Sequence, residues 1–93
     1  MLIQQKDNAQ QGSFYIKDGD TVTAEMDYIW KGQLMVVVHT EVDNSLAGKG
    51  IGKQLVQHAV EYAREKQIKI HPVCSFAKAV FEKVKDYQDV LKQ

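Results

Sequence analysis

Gln33-Leu34-Met35-Val36-Val37-Val38-His39-Thr40-Glu41-Val42 is followed by Asp43-Asn44-Ser45-Leu46 and then by Ala47-Gly48-Lys49-Gly50-Ile51-Gly52-Lys53. Across this stretch the apolar rhythm changes. Up to Val42 the residues alternate as a strand does, with Leu34, Val36, Val38, Thr40 and Val42 on one face and Met35, Val37, His39 and Glu41 on the other. Apolar residues on both faces at its start predict a central strand covered on both sides there. Beyond the glycines, Ile51, Leu55, Ala59 and Ala63 recur every four residues with Val56 and Val60 beside them, which predicts an amphipathic helix to about Lys66. Ile68 to Val73 is then a short strand. A strand–helix–strand unit crosses over right-handed, so the second strand is expected parallel to the first.

Upstream, Ser13 to Lys17 reads as a strand closed by Asp18-Gly19-Asp20, and Val22, Ala24, Met26, Tyr28 and Trp30 alternate with Thr23, Glu25 and Asp27. Lys31-Gly32 makes the next tight turn, because glycine supplies the positive φ that such hairpins need. These strands form an antiparallel three-strand meander. Residues 1–11 are polar and are expected to be poorly ordered or to form an edge. Downstream, Ser75 is placed to cap a second helix with Phe76, Val80 and Phe81 inward, and Asp86 to Leu91 closes the chain in a last turn or two. The fold class is therefore α/β with a mixed sheet: a three-strand meander, a helical crossover to a parallel fourth strand, and C-terminal helices.

The chain has 93 residues, which predicts one domain over 1–93. Twelve basic residues balance twelve acidic ones, and a chain without excess positive charge is not expected to bind nucleic acid. The charge is segregated: residues 1–48 carry three lysines against seven acids, and residues 49–93 carry nine basic residues against five acids. An anionic ligand is expected against the second half. The single cysteine, Cys74, excludes an internal disulfide and suits a reducing compartment. No apolar run is long enough to span a membrane, and residues 1–6 lack a signal-peptide core. These features predict a cytoplasmic protein.

A glycine-rich loop leading from a strand into a helix exposes backbone N–H groups at the positive end of the helix dipole, where phosphates bind. The alternative is that the glycines only make a tight turn. Lys49 and Lys53 on the same turn favour an anion site. The nucleotide P-loop does not fit, since Ala47 stands at its first glycine and Gln54 at its metal-binding hydroxyl. The dinucleotide fingerprint does not fit either, since Lys53 occupies its third glycine.

Gly50-x-Gly52 at a helix start, followed by Leu55-Val56, resembles the pyrophosphate-binding loop of the GNAT superfamily of acyl-CoA-dependent N-acyltransferases, usually Gln/Arg-x-x-Gly-x-Gly/Ala. Here Ala47 holds the first position. Together with His39-Thr40-Glu41-Val42, Val73-Cys74-Ser75-Phe76 and Asp86-Tyr87, the loop resembles a minimal single-domain GNAT-like family over roughly residues 12–92. Relatives often carry proline where this chain has Ser75. The resemblance implies a truncated GNAT-like fold with splayed parallel strands, and acetyl-CoA or coenzyme A as the cofactor. The pantetheine arm would bond main-chain groups near Glu41 and Val42. The pyrophosphate would lie on Gly48, Lys49, Gly50, Ile51, Gly52 and Lys53, with Phe76 at the border. The thioester would point toward Cys74.

Three side chains are candidates for the chemistry. Cys74 ends a strand just before a helix, where the dipole suits a thiolate; it is either an acyl-accepting nucleophile or a packed thiol. His39 and Glu41, two apart on one strand, share a face, and either is a candidate base for an incoming amine; alternatively they are a hydrogen-bonded histidine and an exposed glutamate. His71 lies on the neighbouring strand, and His58 is expected to be solvated on the helix. Scattered histidines do not make a metal site. Tyr28 and Trp30 are in phase with core positions. Three functions compete: an acyltransferase acting on an amine of protein, peptide or small-molecule origin; a non-catalytic coenzyme A or acyl-CoA binding module; and an interaction domain without a ligand. The N-terminal helices that build much of the acceptor site in full-length GNAT enzymes have no counterpart in the predicted elements.

Overall fold

A computed structural model describes residues 2–92. Five strands form one sheet in sequence order: β1 (Gln4–Asp7), β2 (Gln11–Asp18), β3 (Thr21–Lys31), β4 (Leu34–Val42) and β5 (Lys69–Pro72). β1 to β4 are antiparallel neighbours, and β5 runs parallel to β4. The meander thus gains an edge strand from the polar N-terminal segment. Between β4 and β5 lies helix α1 (Ile51–Lys66); α2 (Ser75–Lys83) and a 3₁₀ segment, Lys85–Val90, complete the chain. Gly19 and Gly32 turn the two central hairpins at a φ of 62° each.

Both helices pack on one face of the sheet. Ile51, Leu55, Val56, Ala59, Val60 and Ala63 of α1, with Ala77, Val80 and Phe81 of α2, meet Phe14, Met26, Tyr28, Met35 and Val37 in a single cluster. All of these are at most 6% exposed, and each large side chain so buried contributes about 1.5–3 kcal/mol. Among the described elements no helix covers the other face. Ser13, Tyr15, Glu25, Asp27, Ile29 and Val36 lie there by register, with Val36 still only 4% exposed in mid-sheet.

A β-bulge changes the face assignment of β4. Tyr28 pairs with Val37, but Asp27 pairs with His39, so Val38 is the extra residue. A bulge shifts the period-two alternation by one. Val37, Thr40 and Val42 therefore share the core face, opposite Tyr28, Met26 and Ala24, while His39 and Glu41 lie on the uncovered face opposite Asp27 and Glu25. Strict alternation had grouped Val37 with His39 and Thr40 with Val36; the bulge separates both pairs.

Each end of the chain is fastened by polar contacts. The Tyr28 hydroxyl donates to Asp7 Oδ2 at 2.6 Å and accepts from Gln5 Nε2 at 2.7 Å, and Trp30 Nε1 donates to the same Asp7 oxygen at 2.9 Å. This network holds β1 to the sheet. Burial, with Asp7 as hydrogen-bond acceptor, raises the Tyr28 pKa well above the usual tyrosine value. At the other end, Arg64 of α1 clasps Asp89 through two hydrogen bonds of 2.9 Å and donates to Asp86 O at 2.7 Å. Leu91 adds a parallel bridge to Ile70. No helix among the described residues is long and apolar enough to cross a membrane.

Candidate active site

The loop before α1 is built by backbone conformation. Gly48 and Gly50 have φ values of 79° and 68°, in the left-handed region that other residues enter at a cost of about 1–2 kcal/mol. A Cβ on either would meet nothing within 4 Å, so the loop's outer side is open to a ligand. Gly52 is glycine for another reason: a Cβ there would lie 2.6 Å from Phe76 Cζ. Gly50 caps α1 without a side-chain hydrogen bond, and Gln54 N–H is the first to return into the turn, to Gly50 O at 3.1 Å. The N–H groups of Ile51, Gly52 and Lys53 thus have no intrahelical acceptor. The first turn holds no acidic residue, which keeps the dipole's positive end free for an anion.

Beside the loop the sheet opens. The pairing of β4 with β5 ends at Val37 and Pro72, and the N–H groups of Val73 and Cys74 both fold onto Val37 O, at 2.9 and 3.0 Å. From Val38 to Val42, β4 pairs only with β3. A cleft of about 400 Å³ follows this half-paired edge, from Thr40 and Val42 past Gly48, Gly50 and Gly52 to Phe76. Asp43 also lines it, but its carboxylate accepts from Ser45 N–H at 2.8 Å, which holds its pKa below the usual range.

Cys74, rather than Ser75, caps α2. Its Sγ accepts from Ala77 N–H at 3.4 Å and lies 3.4 Å from Thr40 Oγ1. The half-buried thiol is therefore at the point where the two parallel strands part. His39 Nε2 and Glu41 Oε1 form a pair at 3.3 Å on the uncovered face, with side chains 58% and 72% exposed. The candidates thus divide into Cys74 with Thr40 on the core side of β4 and His39 with Glu41 on the other. His71 pairs in register with Val36 rather than His39. His58 is half-buried, its ring 5.1 Å from that of Phe14, so it packs where solvation was expected. Phe76, expected inward, is 39% exposed and lies over Gly52.

Sequence reasoning missed Thr40 as the neighbour of Cys74 because the bulge that turns it inward has no local signature. It also missed a mainly apolar cavity of about 290 Å³ between α1 and α2, lined by Lys53, Gln57, Phe76, Lys83 and Tyr87, which shares Lys53 and Phe76 with the cleft at the glycine loop. Its two lysines come from different helices, and only their packing brings them to one opening.

A model of the GCN5-related N-acetyltransferase family matches residues 13–90. The NMR solution structure of a GCN5-like protein from Staphylococcus aureus is similar with a TM-score of 0.78 and 40% identity, over 98% of this chain and 87% of that one. An IAA acetyltransferase from Bacillus cereus is similar with a TM-score of 0.61 and 28% identity, over 80% of this chain but 53% of its own. This chain therefore matches about half the length of that enzyme. No curated protein matches it. The mixed sheet, the glycine loop at the start of α1 and the parting of β4 from β5 agree with the family match, and the chain belongs to the GCN5-related N-acetyltransferase family.

Proposed function

We infer that this chain transfers an acetyl group from acetyl-CoA to an amine. The observation that carries the reading is the half-paired edge of β4 from Val38 to Val42, which runs beside a cleft to a helix start with three free N–H groups and no acid. The residues fit coenzyme A. Free main-chain groups near Glu41 and Val42 would bond an amide-bearing arm as a fifth-strand neighbour would. Ile51, Gly52 and Lys53 would hold the pyrophosphate, with Lys49 adding charge. Phe76 would cover the arm, and the cavity beyond Lys53 has room for the nucleotide end. When bound, acetyl-CoA supplies an activated acyl carbonyl.

His39, exposed and paired with Glu41, would take the proton of an amine arriving on the uncovered face. Cys74 offers a second route, in which Sγ first accepts the acyl group and then yields it to the amine. Thr40 Oγ1 and Ala77 N–H hold that sulfur in place in either case.

Thermal-shift titration with coenzyme A, followed by intact mass spectrometry after incubation with acetyl-CoA, tests the reading. Stabilisation by coenzyme A and acetylation of an added amine are expected. Stabilisation without transfer to any amine would assign the chain as a coenzyme A binding module, and no stabilisation would refute both.

A further inference from the structure

The cavity on the uncovered sheet face is closed at its deepest polar group: Ser13 lines it but is 1% exposed, and its Oγ has no hydrogen-bond partner. A cavity on the far flank of α2 is open. It has a volume of about 510 Å³ and lies between β5, α2 and the C-terminal 3₁₀ segment. Lys78, Phe81, Glu82 and Lys85 line it at helical spacing, so they share one face from α2 into the segment that follows. Phe76, Val80 and Lys83 face the cavity between α1 and α2 instead. These two cavities share no lining residue, and α2 separates them.

The walls are fixed by hydrogen bonds. Gln88 Nε2 donates to Phe81 O at 3.0 Å, and Lys92 N–H donates to Ile70 O at 2.9 Å. Pro72 follows on β5 and has no N–H, which disfavours addition of a further strand, so a partner is read here by side chains. The C-terminal segment sorts its charges. Asp89 accepts two hydrogen bonds from Arg64 of α1, and Asp86 lies 3.9 Å from the same guanidinium. Lys85 and Lys92 are left lining the cavity, Lys78 joins them from α2, and Glu82 is the one acid in the lining. None of the three lysines is ion-paired among the described residues. Three ammonium groups from separate segments thus surround one opening with a single carboxylate against them, a field that a bound anion relieves. Beside them Val73 is 53% exposed, and the buried Pro72 and Phe81 line the same cavity.

We propose that this cavity docks an acidic segment of a partner protein, with carboxylates on the lysines and one apolar side chain against Val73. Lys78 and Lys85 lie about 10 Å apart along the helix direction, at about 1.5 Å per residue. An extended peptide advances about 3.3 Å per residue, so acids three positions apart match that span. The lysine stems add apolar contact while their ammonium groups meet the carboxylates. The docking cavity also shares no lining residue with the cleft at the glycine loop, so the partner does not compete with coenzyme A and the proposal stands or falls apart from acetyl transfer.

The test is NMR titration of the full chain with the end-blocked peptide Glu-Asp-Leu-Ser-Asp-Glu. The amides of His71, Val73, Lys78 and Lys85 should shift, and added salt should weaken binding severalfold, since the charges are exposed. Replacing the peptide's leucine by serine should weaken binding severalfold, and Lys-Lys-Leu-Ser-Lys-Lys should not bind. Lys78→Glu and Lys85→Glu should each lower peptide affinity severalfold while leaving the melting temperature and coenzyme A affinity close to wild type. Lys17→Glu reverses the same charge on β2 and should leave peptide binding unchanged. Shifts centred on residues 48–53, equal binding of the serine peptide, or undiminished affinity in both cavity variants would overturn the proposal. So would absence of peptide binding: phosphatidylserine vesicles that shift the same amides would then assign this face to an anionic membrane surface, and succinate that shifts them would assign it to a small dianion.

Discussion

Gly50 is where the fold and the proposed anion site can be perturbed separately. Its φ of 68° and ψ of 24° are left-handed, and a Cβ there points into open space. Gly50→Asn and Gly50→Asp therefore meet no steric obstacle and carry a similar backbone cost of about 1 kcal/mol, reduced because both residues tolerate this region. They differ by one negative charge at the mouth of the loop. At about 5 Å from a phosphate, like unit charges repel by about 0.8 kcal/mol in water and about 3 kcal/mol at an effective dielectric constant near 20. A pyrophosphate doubles the exposure to that charge, and Lys49 and Lys53 offset part of it. The expected result is at least a tenfold loss of coenzyme A affinity in Gly50→Asp relative to Gly50→Asn, about 1.4 kcal/mol, with closely similar melting temperatures. Isothermal titration calorimetry at fixed low ionic strength measures it, since salt screens exposed charges. Equal affinities in two folded variants would show that the phosphates lie elsewhere.

Gly52→Ala should force the Phe76 ring off its seat, since the new methyl would stand 2.6 Å from Cζ; coenzyme A affinity should fall severalfold by calorimetry while the helix is kept. Cys74→Ser should retain coenzyme A binding; a steep drop in turnover together with an acetyl adduct on the wild type supports the two-step route, and wild-type turnover without an adduct supports direct attack with His39 as base. Tyr28→Phe should cost about 1–3 kcal/mol in denaturant unfolding and speed hydrogen exchange in β1, because Gln5 and Asp7 lose their shared partner. In the wild type the raised Tyr28 pKa disfavours the ionised ring in the fold, so its contribution is complete below the unfolded value near 10.0 and is lost as pH rises beyond it. Arg64→Ala should lower the melting temperature. It should also flatten the acid limb of the stability curve: Arg64 holds the Asp89 pKa below 3.8, so this pair's contribution is present above that pH and disappears as the pH falls through the lowered value.

What the sequence determined by itself was whatever depends on neighbours within a few residues. The four-residue recurrence from Ile51 to Ala63 specified α1 to its last residue at Lys66, because one turn of helix brings those side chains onto one stripe. The alternation from Ala24 to Tyr28 specified the buried side of β3, and Gly48 and Gly50 between a strand and a helix marked the loop that leads into α1. Only the tertiary structure decided what depends on register and approach. The extra residue at Val38 is defined by its pairing with β3, and it sends His39 and Glu41 to the uncovered face and Thr40 to Cys74. Phe76 looked like a core residue by spacing, yet α2 lays its ring across Gly52, a contact between segments 24 positions apart. Polar β1 had no apolar pattern to announce it; it is held by backbone pairing to β2 and by the Asp7 and Gln5 contacts with Tyr28, more than twenty residues away. Ser13 sits in a plainly legible strand, but its burial without a partner comes from the strands on either side. Period and composition are local properties of a chain, whereas a bulge, a ring seat and an orphaned hydroxyl exist only after distant segments have met.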